Sequence, residues 1–224
     1  MLEQHQLASK EAIDSVIGHV RGRKQSAGAE LTFDDLRRDV KQHFRERVVA
    51  KLTDPALSSQ DSYRQMRTML DDLAPADRGN LAEAWYHGRF ASDADRHVAV
   101  NVPRTGGENA GKTERRVVDM VQGETAVEVK DVAGKIDANQ FEAYLDLLKI
   151  QEEGGDVGIT KLKYVFTKPE GAVANLEKVA TAMQDSRTAG RLTVEVFDHS
   201  GQRHVARSPE DALRLLHTLE KESP

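Results

Sequence analysis

The chain has no cysteine, no long apolar run and fewer basic than acidic residues. Without cysteine there is no disulfide framework, no thiolate nucleophile and no cysteine-ligated zinc, so any metal must be held by carboxylates, histidines or backbone carbonyls. Without an apolar run of roughly 20 residues, we expect no membrane span. The first residues also lack a basic segment followed by an apolar one, so the sequence predicts no cleavable signal peptide.

The composition is typical of a globular protein that buries a real core, with 38% hydrophobic and 31% charged residues in a chain of 224. A net charge of −5 argues mildly against a large basic surface for nucleic acid. Basic residues nevertheless gather over 21–47 and 112–116, whereas acidic residues crowd 142–156. Solvated helix faces explain most clusters of this kind, so charge alone assigns no partner.

The N-terminal third is predicted to be helical. Apolar residues recur every three or four positions from Phe33 to Leu52, and a second helix is predicted over 62–73. A third helix is predicted from Ala76 toward Gly88, where a glycine suits the end of a helix.

Beyond residue 92 the helical spacing gives way to short runs rich in valine. Three strands are predicted, over 97–102, 115–121 and 125–132. Gly123 lies in the turn that would join the last two as an antiparallel hairpin. From the third helix onward the order is α-β-β-β-α-β-α-β-(β)-α. This order predicts an α/β (α+β) fold, a mixed central sheet flanked by helices over 76–224, preceded by a helical region over 1–75.

The later helices have recognisable ends. Asp137 is placed to cap the helix that contains NQFEAYLDLL, and two glycines at 154–155 are placed to end it. A further helix is predicted over 172–184 and is expected to end near Gly190. Ser208 is placed to cap a terminal helix.

Residues 106–113, GGENAGKT, match the phosphate-loop pattern G-x-x-x-x-G-K-[ST] at every required position. A phosphate loop works because a strand delivers a glycine-rich turn into the N-terminus of a helix, whose free N–H groups hold the phosphates. The residues after Thr113 read ERRVVDMV, and their valines suit a strand better than a helix. We therefore expect a loop that precedes a strand, and a nucleotide-binding protein that uses Lys112 is kept as an alternative.

A second candidate site lies on the next two predicted strands. Glu128 and Lys130 are two residues apart, so their side chains share one face of a strand, while Val129 faces the opposite layer. If the hairpin turns at Gly123, Asp119 lies close enough to Glu128 to share a cation. Two carboxylates and a strand carbonyl are oxygen ligands that magnesium accepts, and a nearby lysine could orient or deprotonate an attacking water. An exposed hairpin with Glu and Lys on its wet face would give the same pattern.

The run VVDMVQGETAVEVKDV, followed by NQFEAYLDLL, resembles the PD-(D/E)XK nuclease superfamily, in the form found in polymorphic toxins and secreted antibacterial effectors. The likeness covers about 80–170, and its motifs lie within 119–144. Asp119 matches the first acidic position, and Glu128 with Lys130 matches the second motif. Valine stands where the family's name has proline, a replacement that is frequent in distant members.

The resemblance implies a restriction-endonuclease-like core and a metal-dependent endonuclease that favours DNA over RNA. It implies Mg²⁺ or Mn²⁺ bound by Asp119, Glu128 and the backbone carbonyl of Val129. A further acidic ligand on the helix before the sheet maps onto Glu83, and a catalytic glutamine on the helix after the second motif maps onto Gln140. Basic residues would bind substrate phosphates around the cleft: Lys112, Arg115, Arg116 and Arg89.

The same resemblance implies a biological setting. The nuclease would be an antibacterial toxin or effector that is secreted without a cleavable signal peptide and acts in the cytoplasm of a target cell; otherwise it would be cytoplasmic. A cognate immunity protein would be its partner in the producing cell.

Structural alternatives stay open for the supporting residues. Glu83 could be an ordinary acid on a helix surface, and Gln140, three residues after Asp137, could be its capping-box partner. His87 and His97 could bind metal or phosphate, although single histidines are usually structural or solvated. A non-catalytic nucleic-acid-binding or interaction module with a degenerate nuclease-like fold is the second functional interpretation, ahead of nucleotide binding.

Overall fold

The computed structural model describes residues 45–71, 73–106, 109–152 and 158–222, with the single positions 18, 22 and 42. The strands in these residues are β1 Asp95–Pro103, β2 Thr113–Gln122, β3 Thr125–Lys130, β4 Lys161–Phe166, β5 Leu192–Phe197 and β6 Arg203–Ala206. They form one six-stranded sheet in the order β1-β2-β3-β4-β5-β6. Strands β1, β2 and β3 are antiparallel neighbours, β3, β4 and β5 run parallel, and β6 is antiparallel to β5.

The helices with defined ends are α1 Ser59–Asp71, α2 Pro75–Phe90, α3 Ala138–Glu152, α4 Pro169–Val173, α5 Leu176–Gln184 and α6 Pro209–Glu222. A further helical segment covers 45–52. The mixed sheet flanked by helices confirms the predicted fold class. Across the part of the chain that the structure describes, no helix is long and apolar enough to span a membrane.

Helices cover both faces of the sheet and create two cores. Helices α3, α5 and α6 pack on one face, here called the α3 face, around residues such as Ala126 and Tyr164. Helices α1 and α2 and the segment 45–52 pack on the other, the α2 face, around residues such as Val127. Alternate residues of β3 enter different cores, which is why its buried positions are apolar apart from Glu128.

Part of the predicted N-terminal helical region belongs to the core on the α2 face. Leu52 and Tyr63 are fully or almost fully buried, and Tyr63 stacks on Phe197 of β5 with ring centroids 5.6 Å apart. The described residues ahead of α2 therefore help to cover the sheet. The domain boundary ahead of α2 stays a prediction, and most of the apolar stripe that begins at Phe33 lies outside the described residues.

Several predicted caps and turns are confirmed. The Asp137 carboxylate accepts a hydrogen bond from the Gln140 backbone N–H at 2.6 Å, and the Ser208 hydroxyl accepts one from the Asp211 N–H at 3.1 Å. Gly123 has a φ of 58° in the turn between β2 and β3. Glycine reaches this conformation without steric cost, so the turn chemistry agrees with the predicted hairpin.

Two predicted helix ends are wrong. Helix α2 continues through Gly88 to Phe90, and Gly88 instead allows a close approach, since a Cβ there would lie 2.8 Å from Thr53 Cγ2. Helix α5 ends at Gln184 rather than near Gly190. The glycines predicted to end α3, at 154–155, lie outside the described residues.

The helix predicted over 172–184 is two helices, α4 and α5, separated at Asn175. Asn175 is 2% exposed, and its side-chain N–H groups bond the carbonyls of Gly171 at 2.7 Å and Gly134 at 3.0 Å. Its side-chain oxygen accepts from the Ile136 N–H at 3.0 Å. These bonds to the loop after β3 compete with helical hydrogen bonds and break the helix there.

Gly171 of α4 lies against the chain that follows β3, where a Cβ would lie 2.1 Å from the Val132 carbonyl oxygen. We expect Gly171→Ala to lower Tm by roughly 2–10 °C, because overpacking costs about 1–3 kcal/mol. Thermal unfolding followed by circular dichroism measures the change. Gly79→Ala in α2 is the matched control, since an added Cβ there meets nothing within 4 Å. Equal Tm values for the two variants would contradict the close contact.

Candidate active site

Strands β2 and β3 pair over a short ladder and separate at the candidate site. The last pair of the ladder is Met120 with Val127. Beyond it, Asp119 Oδ2 accepts a hydrogen bond from the Val129 N–H at 2.8 Å, and Glu128 Oε1 accepts one from the Asp119 N–H at 3.3 Å. The structure therefore brings the two predicted carboxylates together in the gap between the strands, where they take the place of the backbone ladder.

The other side of β2 is irregular at the same residue. Strands β1 and β2 keep one register, but His97, which stands opposite Asp119, is not paired. His97 has a φ of 54°, the one positive value for a residue other than glycine in the described chain. Such a conformation is unfavourable and is often retained at functional sites. Val118 and Met120 enter different cores, although residues two apart normally share a face.

Glu128 and Lys130 form a buried ion pair on the α3 face. Glu128 is 0% exposed, and Lys130 Nζ lies 2.8 Å from Glu128 Oε2. Tyr164 stands beside Glu128 in the β3–β4 register. Within the described residues its buried hydroxyl has no hydrogen-bond partner. Burial, followed by the charge of Glu128, raises the pKa of Tyr164 well above its usual value, so the hydroxyl stays protonated.

Gln140 connects this ion pair to α3. Lys130 Nζ donates to Gln140 Oε1 at 3.0 Å, and Gln140 Nε2 lies 3.3 Å from Tyr144 Oη. Tyr144 Oη in turn donates to the Val117 carbonyl of β2 at 3.0 Å. The direction of the Gln140 amide is fixed, because its oxygen faces a cation and its nitrogen faces an acceptor. Of the two interpretations of Gln140, its side chain joins the candidate site, while its backbone N–H serves the Asp137 cap.

Glu83 lies on α2, at the opposite face of the sheet. It is 6% exposed, so the interpretation of Glu83 as a surface acid is wrong. Glu83 Oε1 accepts from Arg96 Nη2 at 2.6 Å and lies 2.9 Å from His97 Nε2. Its charge is among the smaller causes that raise the pKa of Asp119. Glu83 therefore acts on the site electrostatically, while its carboxylate is engaged by two residues of β1.

Asp119 titrates as a carboxyl crowded by other acids. Burial, and then the charge of Glu128, raise the pKa of Asp119 from 3.8 to about 7, while Lys130 and the Val129 N–H oppose the change. A carboxyl whose pKa is raised by burial and a specific neighbour is a marker of functional sites. A bound cation would relieve the repulsion that raises this pKa.

Two of the predicted phosphate-binding residues are accessible to a ligand. Arg115 is exposed on β2, and no hydrogen bond or ion pair engages its guanidinium within the described residues. Lys112 is exposed at the end of the loop before β2, and its Nζ lies 3.4 Å from Asn109 Oδ1. Both side chains are on the same hairpin as Asp119.

The other two are engaged within the protein. Arg116 Nη2 lies 2.6 Å from Glu114 Oε2 on the same strand. Arg89 donates to backbone carbonyls at Asp54, at 3.1 Å, and at Leu57. The guanidinium of Arg89 therefore holds the turn that follows the helical segment 45–52, and nothing in its contacts connects it to Asp119.

The sequence that matches a phosphate loop forms the tip of the β1–β2 hairpin. The Arg104 N–H donates to the Lys112 carbonyl at 2.8 Å, and the Gly111 N–H donates to the Arg104 carbonyl at 2.9 Å. Strand β2 begins at Thr113, which confirms the strand predicted after the loop. Nucleotide binding would need a helix N-terminus at this point. The nucleotide-binding alternative thus lacks the element that would hold the phosphates.

Sequence reasoning missed the role of Arg104. It is 3% exposed, and its guanidinium bonds Asn139 at 2.7 Å and Asp146 at 2.9 Å, both on α3, and Glu114 at 3.1 Å. These bonds clamp the hairpin to α3. An arginine beside a glycine-rich loop gives no local signal that distinguishes it from a solvated one. The Tyr164 hydroxyl, which has no hydrogen-bond partner in the described part of the chain, was missed for the same reason, since KLKYVF is an ordinary strand sequence.

The carboxylates at the strand gap are donors of the kind that a hard divalent cation prefers. Among the described residues, no group of three or more His, Asp or Glu side chains is arranged to hold a metal ion. Lys130 now neutralises Glu128, and a cation at that carboxylate would have to share it or displace the ammonium.

No protein-family model, curated protein or solved structure matches the chain. Support for a function therefore comes from the sequence motifs, the fold and the geometry around Asp119.

The raised pKa of Asp119 predicts a pH-dependent stability. Because the folded state binds this proton more tightly than the unfolded state, the ionised carboxylate costs stability as pH rises from about 4 to about 7. We expect Asp119→Asn, without added metal, to raise Tm relative to wild type by roughly 2–10 °C more at pH 8 than at pH 5. Thermal unfolding of both proteins at the two pH values measures the difference.

Asp185→Asn is the control of opposite sign. Hydrogen bonds from Arg187 lower the pKa of Asp185 to about 2, so its contribution is constant above pH 4. Its substitution should shift Tm by the same small decrease at pH 5 and pH 8. If the effect of Asp119→Asn were equally flat, the raised pKa of Asp119 would be contradicted.

Proposed function

We propose that this chain is a metal-dependent nuclease that hydrolyses phosphodiester bonds, with DNA favoured over RNA, on a PD-(D/E)XK restriction-endonuclease-like core. The observation that supports this most is the gap between β2 and β3. There Asp119 and Glu128 close the strands with their carboxylates, and Lys130 stands beside them. Buried charge and a distorted strand both cost stability, and such costs are most often retained where function requires them.

Mg²⁺ or Mn²⁺ would be bound by Asp119, Glu128 and the backbone carbonyl of Val129. When bound, the cation lowers the pKa of a water and offsets negative charge on the phosphate. The chain contributes the carboxylates themselves and their mutual repulsion, which favours cation binding. Glu83 adds negative charge on the far side of β2, and we propose that it acts through this field rather than as a direct ligand.

Lys130 would orient the attacking water or stabilise charge on the phosphate. Its ammonium has three N–H donors, and the carboxylate of Glu128 and the amide of Gln140 accept two of them. The third donor is left for a water or a phosphate oxygen. Gln140 is a positioning residue, because its amide is itself fixed by Tyr144 and holds Lys130 at a constant place over the strand gap.

We further propose that the nuclease is an antibacterial toxin or effector domain. The resemblance of its motifs to those of polymorphic toxins supports this setting. It would be secreted without a cleavable signal peptide, act in the cytoplasm of the target cell, and be inhibited in the producing cell by a cognate immunity protein.

A non-catalytic nucleic-acid-binding module is the second candidate. It is favoured by the ion pair between Lys130 and Glu128, which already neutralises the buried carboxylate. In that case Asp119, Glu128 and Lys130 would hold the strands together without binding metal.

Cleavage of plasmid DNA and total RNA separates the two candidates. We expect wild type to cut DNA with Mg²⁺ or Mn²⁺ and not with chelator. Lys130→Met should lower the rate at least about 100-fold, since it removes the group that orients the water or stabilises charge on the phosphate, and Asp119→Asn and Glu128→Gln should do likewise. Gln140→Met should lower it about tenfold, as expected for loss of a positioning residue.

Lys163→Met is the matched control for Lys130→Met. Lys163 Nζ lies 3.2 Å from Glu195 Oε1, a second buried Lys–Glu pair of the sheet, located on β4 and β5 at the α2 face. Its loss should leave the rate near that of wild type once the protein is folded. Absence of metal-dependent cleavage by wild type would refute the nuclease, and equal losses in both lysine variants would refute the assignment of Lys130.

Metal binding can be measured without cleavage. We expect Mg²⁺ or Mn²⁺ to raise the Tm of wild type and of Lys163→Met, because a ligand that binds the folded state stabilises it. The same ions should leave the Tm of Asp119→Asn almost unchanged. A rise of equal size in Asp119→Asn would place the metal elsewhere on the protein.

A further inference from the structure

Strands β1 and β2 extend past the rest of the sheet as a two-stranded ribbon. Strand β3 pairs with β2 over 120–122, so residues 113–118 of β2 have β1 as their strand neighbour. We define the ribbon as residues 98–103 paired with 113–118. At about 3.4 Å per residue, its six residues per strand extend roughly 20 Å from Asp119.

The two faces of the ribbon have different surroundings. The inner face packs against α3 through the valines of both strands, of which Val102 and Val118 are 0% exposed. The alternate residues form the outer face, and all of them are exposed: Ala99, Asn101, Pro103, Thr113, Arg115 and Val117. Val117 is 49% exposed, and the described chain exposes only one other large apolar side chain to a similar degree.

The outer face has no carboxylate, although the chain carries a net charge of −5. The one acid of the ribbon, Glu114, belongs to the inner set and is paired with Arg116 at 2.6 Å and Arg104 at 3.1 Å. Arg115 has no partner within the described residues, and Lys112 is exposed at the ribbon's tip. The outer face therefore presents unneutralised positive charge, which complements a phosphate backbone.

We propose that the outer face of the ribbon enters the major groove of duplex DNA, an inference that rests on the proposed nuclease function. A two-stranded β-ribbon fits this groove, which is about 12 Å wide. In the register of the ribbon, Asn101 stands opposite Arg115 and Ala99 opposite Val117. Arginine and asparagine bond purine edges, and small apolar side chains contact the methyl group of thymine.

The same geometry favours duplex DNA over other nucleic acids. Double-stranded RNA has a deep, narrow major groove that side chains do not reach, and a single strand has no groove to receive the ribbon. Asp119 is the next residue of β2 after the ribbon, so one strand carries both the groove-binding side chains and the first carboxylate of the candidate site.

Binding to a fluorescent DNA duplex of about 20 base pairs, in chelator to prevent cleavage, tests this inference. We expect Arg115→Glu to weaken binding at least about tenfold. The matched control is Arg214→Glu on α6, which makes the same charge change at a side chain 76% exposed and should weaken binding less than about twofold. Arg115→Gln, which keeps the length of the side chain without its charge, replaces Arg115→Glu if charge reversal prevents folding.

Competition by double-stranded RNA and single-stranded DNA of the same sequence identifies the nucleic acid. Each should compete at least about tenfold less well than duplex DNA. Equal competition by either one, or equal losses in Arg115→Glu and Arg214→Glu, would overturn the inference. Duplex binding that depends on Arg115 without any cleavage would refute the nuclease and leave the ribbon's role intact. DNA cleavage combined with duplex binding that does not depend on Arg115 would support the nuclease and refute the role of the ribbon.

Discussion

Hydrogen bonds that backbone N–H groups donate to two carboxylates hold β2 and β3 together beyond the end of their ladder. A buried N–H without an acceptor costs free energy, so the separation of two strands inside a sheet requires other acceptors. Asp119 and Glu128 provide them, each bonding an N–H of the neighbouring strand. The contact between the strands is consequently made by two ionisable side chains, and its stability depends on the charges near them.

The surrounding residues can be understood as responses to that charge. Lys130 neutralises Glu128 directly, and Gln140 and Tyr144 fix Lys130 to α3 through a continuous set of hydrogen bonds. On the opposite face, Glu83 is engaged by Arg96 and by His97 Nε2. Asp119 lies between these two groups, and burial, followed by the charge of Glu128, raises its pKa. A divalent ion would complete the charge balance at this position.

Elements of the fold that depend on neighbours in sequence could be predicted, and those that depend on distant contacts could not. Valine-rich runs predicted the strands, and Asp137 and Ser208 marked helix starts, because strand packing and capping depend on neighbours in sequence. The break at Asn175 depends on bonds to the loop at 134–136, and no helical pattern records such contacts.

The same division applies to the site. The hairpin turn at Gly123 was enough to bring Asp119 near Glu128, because antiparallel register follows from the position of the turn. The left-handed backbone of His97 could not be predicted, since it arises where β1 adapts to the distortion of β2. The partners of Glu83 were missed for the same reason. The burial of Glu83 depends on partners that the neighbouring strand supplies. Neither Arg96 nor His97 has a sequence pattern that indicates this role.

The hydrogen bonds of Arg104 connect the β1–β2 hairpin to α3. The Arg104 guanidinium bonds Asn139 and Asp146, which lie two turns apart on α3. The Arg104 backbone bonds Lys112 and Gly111 at the end of the β1–β2 hairpin. These bonds link the hairpin to the first turns of α3. Gln140 follows Asn139 directly in the chain. A displacement of the far end of the hairpin would therefore shift the Gln140 amide that holds Lys130.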